Sequence, residues 1–249
     1  MPIVGLERAM GAGVAAGRAV VAVPRGLARR GAPLVGRVAG VAGPDRVLAL
    51  ARYRDLAAGY DVRTATGDPY RRQTVDRLAP MPGEVILDVG CGTGLNFAAI
   101  EEGIGPRGRL IGIEPCPEML ALARERVEDS GWRNVTLVAA AAEDAAVPAT
   151  ADGVLFCGVH DVMRSRPALA NVLGYVRAGG RVVAGGPKWT TWWQPGSAAL
   201  NLTTWTSNRD CITTFEGFDR PWTGLAAMVG DLEVEELCLG AAYIAAGTR

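Results

Sequence analysis

The sequence predicts an α/β protein built on a mostly parallel, doubly wound sheet. Three observations carry that expectation. Between residues 76 and 187, apolar strand-like runs near 85–89, 109–113, 134–138, 152–157 and 180–185 alternate with helix-compatible stretches near 94–102, 116–128 and 165–176. Such alternation calls for right-handed crossovers, with a ligand at the carboxyl ends of the strands. The first strand leads into Asp88-Val89-Gly90-Cys91-Gly92-Thr93-Gly94, a tight turn where backbone approaches a ligand that a Cβ would strike. The second strand, Leu110 to Ile113, ends at Glu114, twenty residues beyond Gly94. A carboxylate in that place can take both hydroxyls of a ribose.

The glycine spacing separates this loop from a dinucleotide fingerprint. In G-x-G-x-x-G the third glycine falls five residues after the first. Counted from Gly90 that position is Leu95, and counted from Gly92 it is Phe97. Here the order is G-x-G-x-G, with Asp88 two residues upstream. A carboxylate repels a pyrophosphate and attracts a cation, so the loop suits a ribose-bearing cation. An NAD-dependent oxidoreductase is disfavoured.

Residues 85–187 resemble the class I S-adenosylmethionine-dependent methyltransferases. Four motifs carry the resemblance: the Asp88–Gly94 loop, Ile113-Glu114-Pro115, Ala142-Glu143-Asp144 after the third strand, and Ala178-Gly179-Gly180 before the fifth. The resemblance implies a seven-stranded Rossmann-like sheet with S-adenosylmethionine as cofactor. It places Asp88 at the methionine end and Glu114 on the ribose, with Gly90, Cys91, Gly92 and Gly94 forming the loop. Pro115 would flank the adenine, Ala142 and Glu143 would lie along its edge, and Cys157, at the end of the fourth strand, would also contact the cofactor. Many members have an aspartate where Ala141 stands, so Glu143 or a backbone carbonyl must meet the adenine amino group. Tyr60, at the end of the leader, resembles the tyrosine that closes over the methionine end.

His160 is the single histidine, and it stands with Asp161 just past the fourth strand, on the side where an acceptor would meet the methyl group. The pair is the candidate catalytic dyad, with His160 as base or pocket wall and Asp161 as orienter, base or helix cap. Lys188, Trp189, Trp192 and Trp193 follow the fifth strand and are the candidate acceptor-binding residues, through cation–π or stacking contacts. A hydrophobic subdomain core explains the same tryptophans equally well.

Five scattered cysteines and one histidine predict no metal site. Of 26 basic residues only Lys188 is lysine. Net charge is zero, but residues 1–60 hold nine arginines against three acids, leaving +6 on the leader and −6 on the rest. That leader, rich in Ala, Gly and Val, fits a lid over an acidic core or a peripheral contact with an anionic membrane. The basic residues lack aromatic interleaving, which argues against nucleic acid. No stretch approaches a membrane span or a signal peptide, so a cytoplasmic protein is expected.

Three units follow: a helical N-terminal lid over 1–75, the cofactor-binding core over 76–187, and an aromatic cap plus the last two strands over 188–249. The lid is expected to stand apart from the sheet. The expected function is methyl transfer to a small-molecule or lipid-like acceptor. The alternative is a descendant that binds the cofactor but performs a non-methylating reaction such as cyclisation.

Overall fold

The structure, a computed structural model, describes residues 20–22 and 44–249, and the statements below concern those residues. Eight strands form one sheet in the order β1-β7-β8-β6-β5-β2-β3-β4. They are β1 (Val20–Ala22), β2 (Val85–Val89), β3 (Arg109–Ile113), β4 (Val135–Val138), β5 (Ala151–Cys157), β6 (Val176–Pro187), β7 (Gly230–Leu237) and β8 (Ala242–Thr248). Strands β2 to β6 run parallel, while β8 is antiparallel to both β6 and β7. The seven-stranded α/β sheet expected from the sequence is therefore present.

An eighth strand departs from expectation. Val20–Ala22 pairs antiparallel with Glu233–Glu235 of β7, so part of the leader belongs to the sheet. Three residues in a Gly- and Arg-rich stretch give no period to read, and their pairing depends on the edge that β7 offers. The rest of residues 1–43 lies outside the described residues, as does the proposed membrane contact there.

The helices are α1 (Arg46–Leu56), α2 (Tyr60–Thr64), α3 (Asp68–Leu78), α4 (Phe97–Ile104), α5 (Pro117–Asp129), α6 (His160–Arg164), α7 (Arg166–Gly174), α8 (Ser197–Asn208) and α9 (Thr223–Ala226). Local chemistry sets their starts. Asp45 caps α1 by accepting from Leu48 N at 3.0 Å, and Ser165 caps α7 by accepting from Ala168 N. Pro117 opens α5 at a position where a missing N–H does no harm.

Two apolar clusters cover the two faces of the sheet. One joins Val75, Leu78, Phe97, Ile100 and Ile104 to Ile86, Leu110 and Leu155. The other joins Leu169, Val172 and Leu225 to Leu87, Ile111, Val154 and Val182. Helix α3 thus supplies core residues, and a lid ending at residue 75 would cut through it. No helix among the described residues is long and apolar enough to cross a membrane.

Strand order reverses between β2 and β5, since the chain runs outward through β3 and β4 before crossing back. Such a switch point opens a crevice beyond the carboxyl ends of the strands. Gly90 and His160 stand on its two sides.

Candidate active site

A cavity of about 560 Å³ occupies that crevice. Its floor is the Gly90–Gly92 turn, its flanks are Glu114, Pro115, Met119 and Ala141 to Glu143, and its far wall runs from Cys157 to Val162. The volume lies within the range of ligand pockets.

The turn is shaped for close approach. Gly90 has φ +65°, and a Cβ on it would stand 2.5 Å from Val159 Cγ1. Gly92 donates its N–H to Glu114 Oε2 at 3.0 Å, and Cys116 N donates to Glu114 Oε1 at 2.8 Å. Glu114 is 7 % exposed, and burial raises its pKa against the lowering effect of these two bonds. A carboxylate pinned by two backbone donors keeps lone pairs free for two hydroxyls. The donor set therefore fits the ribose of the expected cofactor.

Asp88 lies behind the turn rather than on the cavity wall. Both its oxygens accept from Asn96 Nδ2, and burial pushes its pKa up to about 7. Cys91 and Gly94 are likewise absent from the lining. Cys91 is buried in the core, where a Cβ on Gly112 would stand only 2.9 Å from its Sγ, and Gly94 backs onto Phe97. Asp88, Cys91 and Gly94 thus stand outside the cavity lining, beside or behind the turn. Cys157 does line the cavity, and burial pushes its thiol up to about 12. It is a neutral wall residue.

The roof comes from the N-terminal segment. Arg46, Leu50, Tyr53 and Tyr60 line the cavity, and only Tyr60 was anticipated there. Burial raises the pKa of both tyrosines, so both remain phenols. Arg46 bridges Glu143 Oε1 at 3.0 Å and Asp144 Oδ2 at 2.8 Å, and Arg52 donates to Ile212 O. Glu143 is therefore committed to the roof. Asp61 accepts from Thr93 Oγ1 at 2.6 Å and pairs with Arg126 at 2.5 Å, which clamps the roof onto the glycine turn.

These groups are partly exposed, so each contact is worth about 1 kcal/mol or less. Replacing Asp61 with alanine should speed hydrogen exchange across residues 46–67 and weaken cofactor binding roughly three- to tenfold. Unchanged exchange in that variant would assign the hold to the arginine contacts alone.

His160 is 6 % exposed, lines the cavity, and packs edge-on against Phe218 at 4.7 Å between ring centres. Neither ring nitrogen has a hydrogen-bond partner. Burial, with Arg164 adding to it, lowers the pKa to about 4, although the backbone of Glu216 and Thr214 offsets part of the fall. The imidazole is neutral over the physiological range, and its nitrogens face the backbone of Glu216 and Thr214 without a hydrogen bond of full geometry.

Asp161 does not orient the ring. Its Oδ2 accepts from Thr213 N and Thr213 Oγ1, and Thr213 Oγ1 in turn accepts from Asp45 N at the cap of α1. His160 and Asp161 both line the cavity without bonding each other, and Asp161 ties the wall to the roof and to the loop that follows α8.

The four acceptor-binding candidates after β6 lie elsewhere. Lys188 is 1 % exposed, donates to Trp189 O and Gly240 O, and pairs with Glu236 at 3.1 Å. It is a structural tie between the cap and the β7–β8 turn. Trp189 packs against Phe215 and Phe218 behind His160. Trp192 and Trp193, 82 % and 69 % exposed, pack on each other away from the cavity. None of Lys188, Trp189, Trp192 and Trp193, the expected acceptor-binding residues, lines the cavity. The cap reaches it instead through Cys211 and Ile212.

Residues 86–180 match the family model described as a methyltransferase domain. An uncharacterized 37.1 kDa protein in transposon TN4556 of Streptomyces fradiae is 34 % identical over 64 % of this chain and 44 % of its own length. Aklanonic acid methyltransferase DauC of Streptomyces sp. strain C5 is 32 % identical over 48 % of this chain and 55 % of its own. The chain thus spans about half the length of these relatives. The crystal structure of a putative O-methyltransferase from Nostoc punctiforme superposes with a TM-score of 0.58 at 17 % identity, covering 79 % of this chain and 60 % of that one, which shows a shared fold.

Proposed function

We propose that this chain, whose residues 86–180 match a methyltransferase domain, is a class I S-adenosylmethionine-dependent methyltransferase that transfers a methyl group to a small-molecule or lipid-like acceptor. The observation that carries the reading is Glu114, a buried carboxylate pinned by Gly92 and Cys116 at the end of the second strand of the domain. When bound, S-adenosylmethionine supplies an activated methyl on a neutral leaving group, so little covalent help is required.

What the protein contributes is position and protonation. The Gly90–Gly92 turn and Glu114 hold the donor against the floor. The roof residues Tyr53 and Tyr60, clamped by Asp61 and Arg46, exclude water from the crevice. Such fixing of two reactants supplies much of the rate in displacement reactions. His160, neutral and lining the cavity, accepts a hydrogen bond or a proton from an acceptor hydroxyl or ammonium. Asp161 is a positioning residue that keeps the wall and the roof in register through Thr213.

A small acceptor fits the enclosed site. Among the described residues, roof, wall and cap loop all contribute to the lining of one cavity of about 560 Å³, a size that suits a small ligand. The named acceptor of the Streptomyces relative, aklanonic acid, is also a small molecule. The test uses donor carrying an isotopically labelled methyl group, incubated with the protein and a fractionated cell extract. Label is expected in the small-molecule and lipid fractions. Label confined to protein or nucleic acid would overturn the acceptor class.

A further inference from the structure

A second cleft, of about 330 Å³, adjoins the first. Arg164 and Arg166 line both, so the two cavities share an arginine wall. Arg220 joins them in the second cleft, whose floor includes Met163, Leu169 and Met228, and no acidic residue lines it. Arg164 is held by Glu216, through Oε2 at 2.7 Å and the backbone oxygen at 2.5 Å, yet its Nε is buried without a partner. Arg166 and Arg220 have no carboxylate within ion-pair distance among the described residues. Two uncompensated guanidinium groups over an apolar floor attract an anion, and the planar fork matches a carboxylate or phosphate. A buried N–H without a partner in the same wall marks a place where a ligand oxygen would complete the bonding.

The wall is also positioned for catalysis. His160 and Arg164 stand one turn apart on α6, so they share a face. A molecule held at Arg164 therefore has neighbouring atoms beside the imidazole.

We propose that Arg164, Arg166 and Arg220 bind an anionic group of the acceptor, a carboxylate or a phosphate, which makes the acceptor an amphipathic organic anion. Its hydrocarbon part lies on the methionine and leucine floor, and its reactive part enters the larger cavity at His160. The inference rests on reading that larger cavity as the methyl-donor site.

Because His160 is the only histidine, its ring resonances report the shared wall without ambiguity in a protein prepared without a histidine tag. The probes are hexanoate, hexyl phosphate and the uncharged hexanol. At least one anion should shift the His160 ring signals saturably, and the tighter of the two identifies the headgroup. The double variant Arg166→Ala, Arg220→Ala should weaken that binding by about tenfold or more. S-adenosylhomocysteine should bind wild type and the single variant Arg220→Ala, whose side chain lines only the second cleft, alike, as read by calorimetry. Hexanol binding as tightly as both anions, or a double variant that binds them like wild type, would overturn the anion site. Loss of S-adenosylhomocysteine binding in the wild type, with anion binding intact, would instead strike the parent reading of the donor site.

Discussion

Replacing Glu114 with alanine should weaken binding of S-adenosylmethionine by roughly 2–4 kcal/mol, taking about 1.5 kcal/mol for each of two charge-assisted hydrogen bonds. That corresponds to a loss of about thirtyfold to a thousandfold in Kd. Two effects push in the same direction. The ribose loses its acceptor, and Gly92 N and Cys116 N lose theirs, which frees the glycine turn to move. Glu114→Gln should lie between wild type and alanine, since an amide keeps one acceptor but turns an NH₂ toward a backbone donor. Calorimetry, with circular dichroism to confirm folding, reads both. An unchanged dissociation constant in Glu114→Ala would place the ribose elsewhere.

The second large effect belongs to His160. If it takes the proton, His160→Ala should lower the rate by about 10² to 10⁴ with little change in cofactor affinity. The loss should shrink at high pH, where more acceptor is already deprotonated. The outcome of a pocket-shaping role is different: a raised KM for the acceptor, a nearly unchanged rate, and a silent His160→Gln.

Burial and Arg164 set the pH range. A folded pKa of about 4 leaves the free base in place down to mildly acid pH. As pH falls below the usual histidine value of about 6.5, the unfolded chain takes up a proton that the native ring refuses, so His160 lowers stability on the acid side. The single histidine signal should titrate near 4 in the free protein. A midpoint between 6 and 7 would contradict the buried ring.

The parts of the fold that were legible in the sequence are those set by local chemistry. Strands β2, β3 and β5 came from apolar runs. The glycine turn and Glu114 came from conformational and charge requirements that few other arrangements meet. What was hidden depended on distant partners. Lys188 reads as a binding residue until Glu236 and Gly240, about fifty residues later, are seen to bury it. Periodicity places Trp192 and Trp193 after β6 but cannot say that they face away from the cavity. Tyr53 and Arg46 carry no motif, and they reach the site only because α1 folds back over it. Asp161 looked like a partner for the adjacent histidine, whereas its bonds run to Thr213 across the cap. The arginine wall was also invisible, because Arg220 comes from a loop more than fifty residues beyond Arg164 and Arg166.

The central claim is that the crevice between β2 and β5 holds an adenosyl sulfonium rather than a dinucleotide. Calorimetric titration of the purified protein with S-adenosylmethionine, S-adenosylhomocysteine and NAD tests it most directly. Saturable one-site binding of the first two and none of the third is expected, since the G-x-G-x-G turn lacks the third glycine of a dinucleotide fingerprint. Saturable binding of NAD, with no heat from either adenosyl compound, would contradict it.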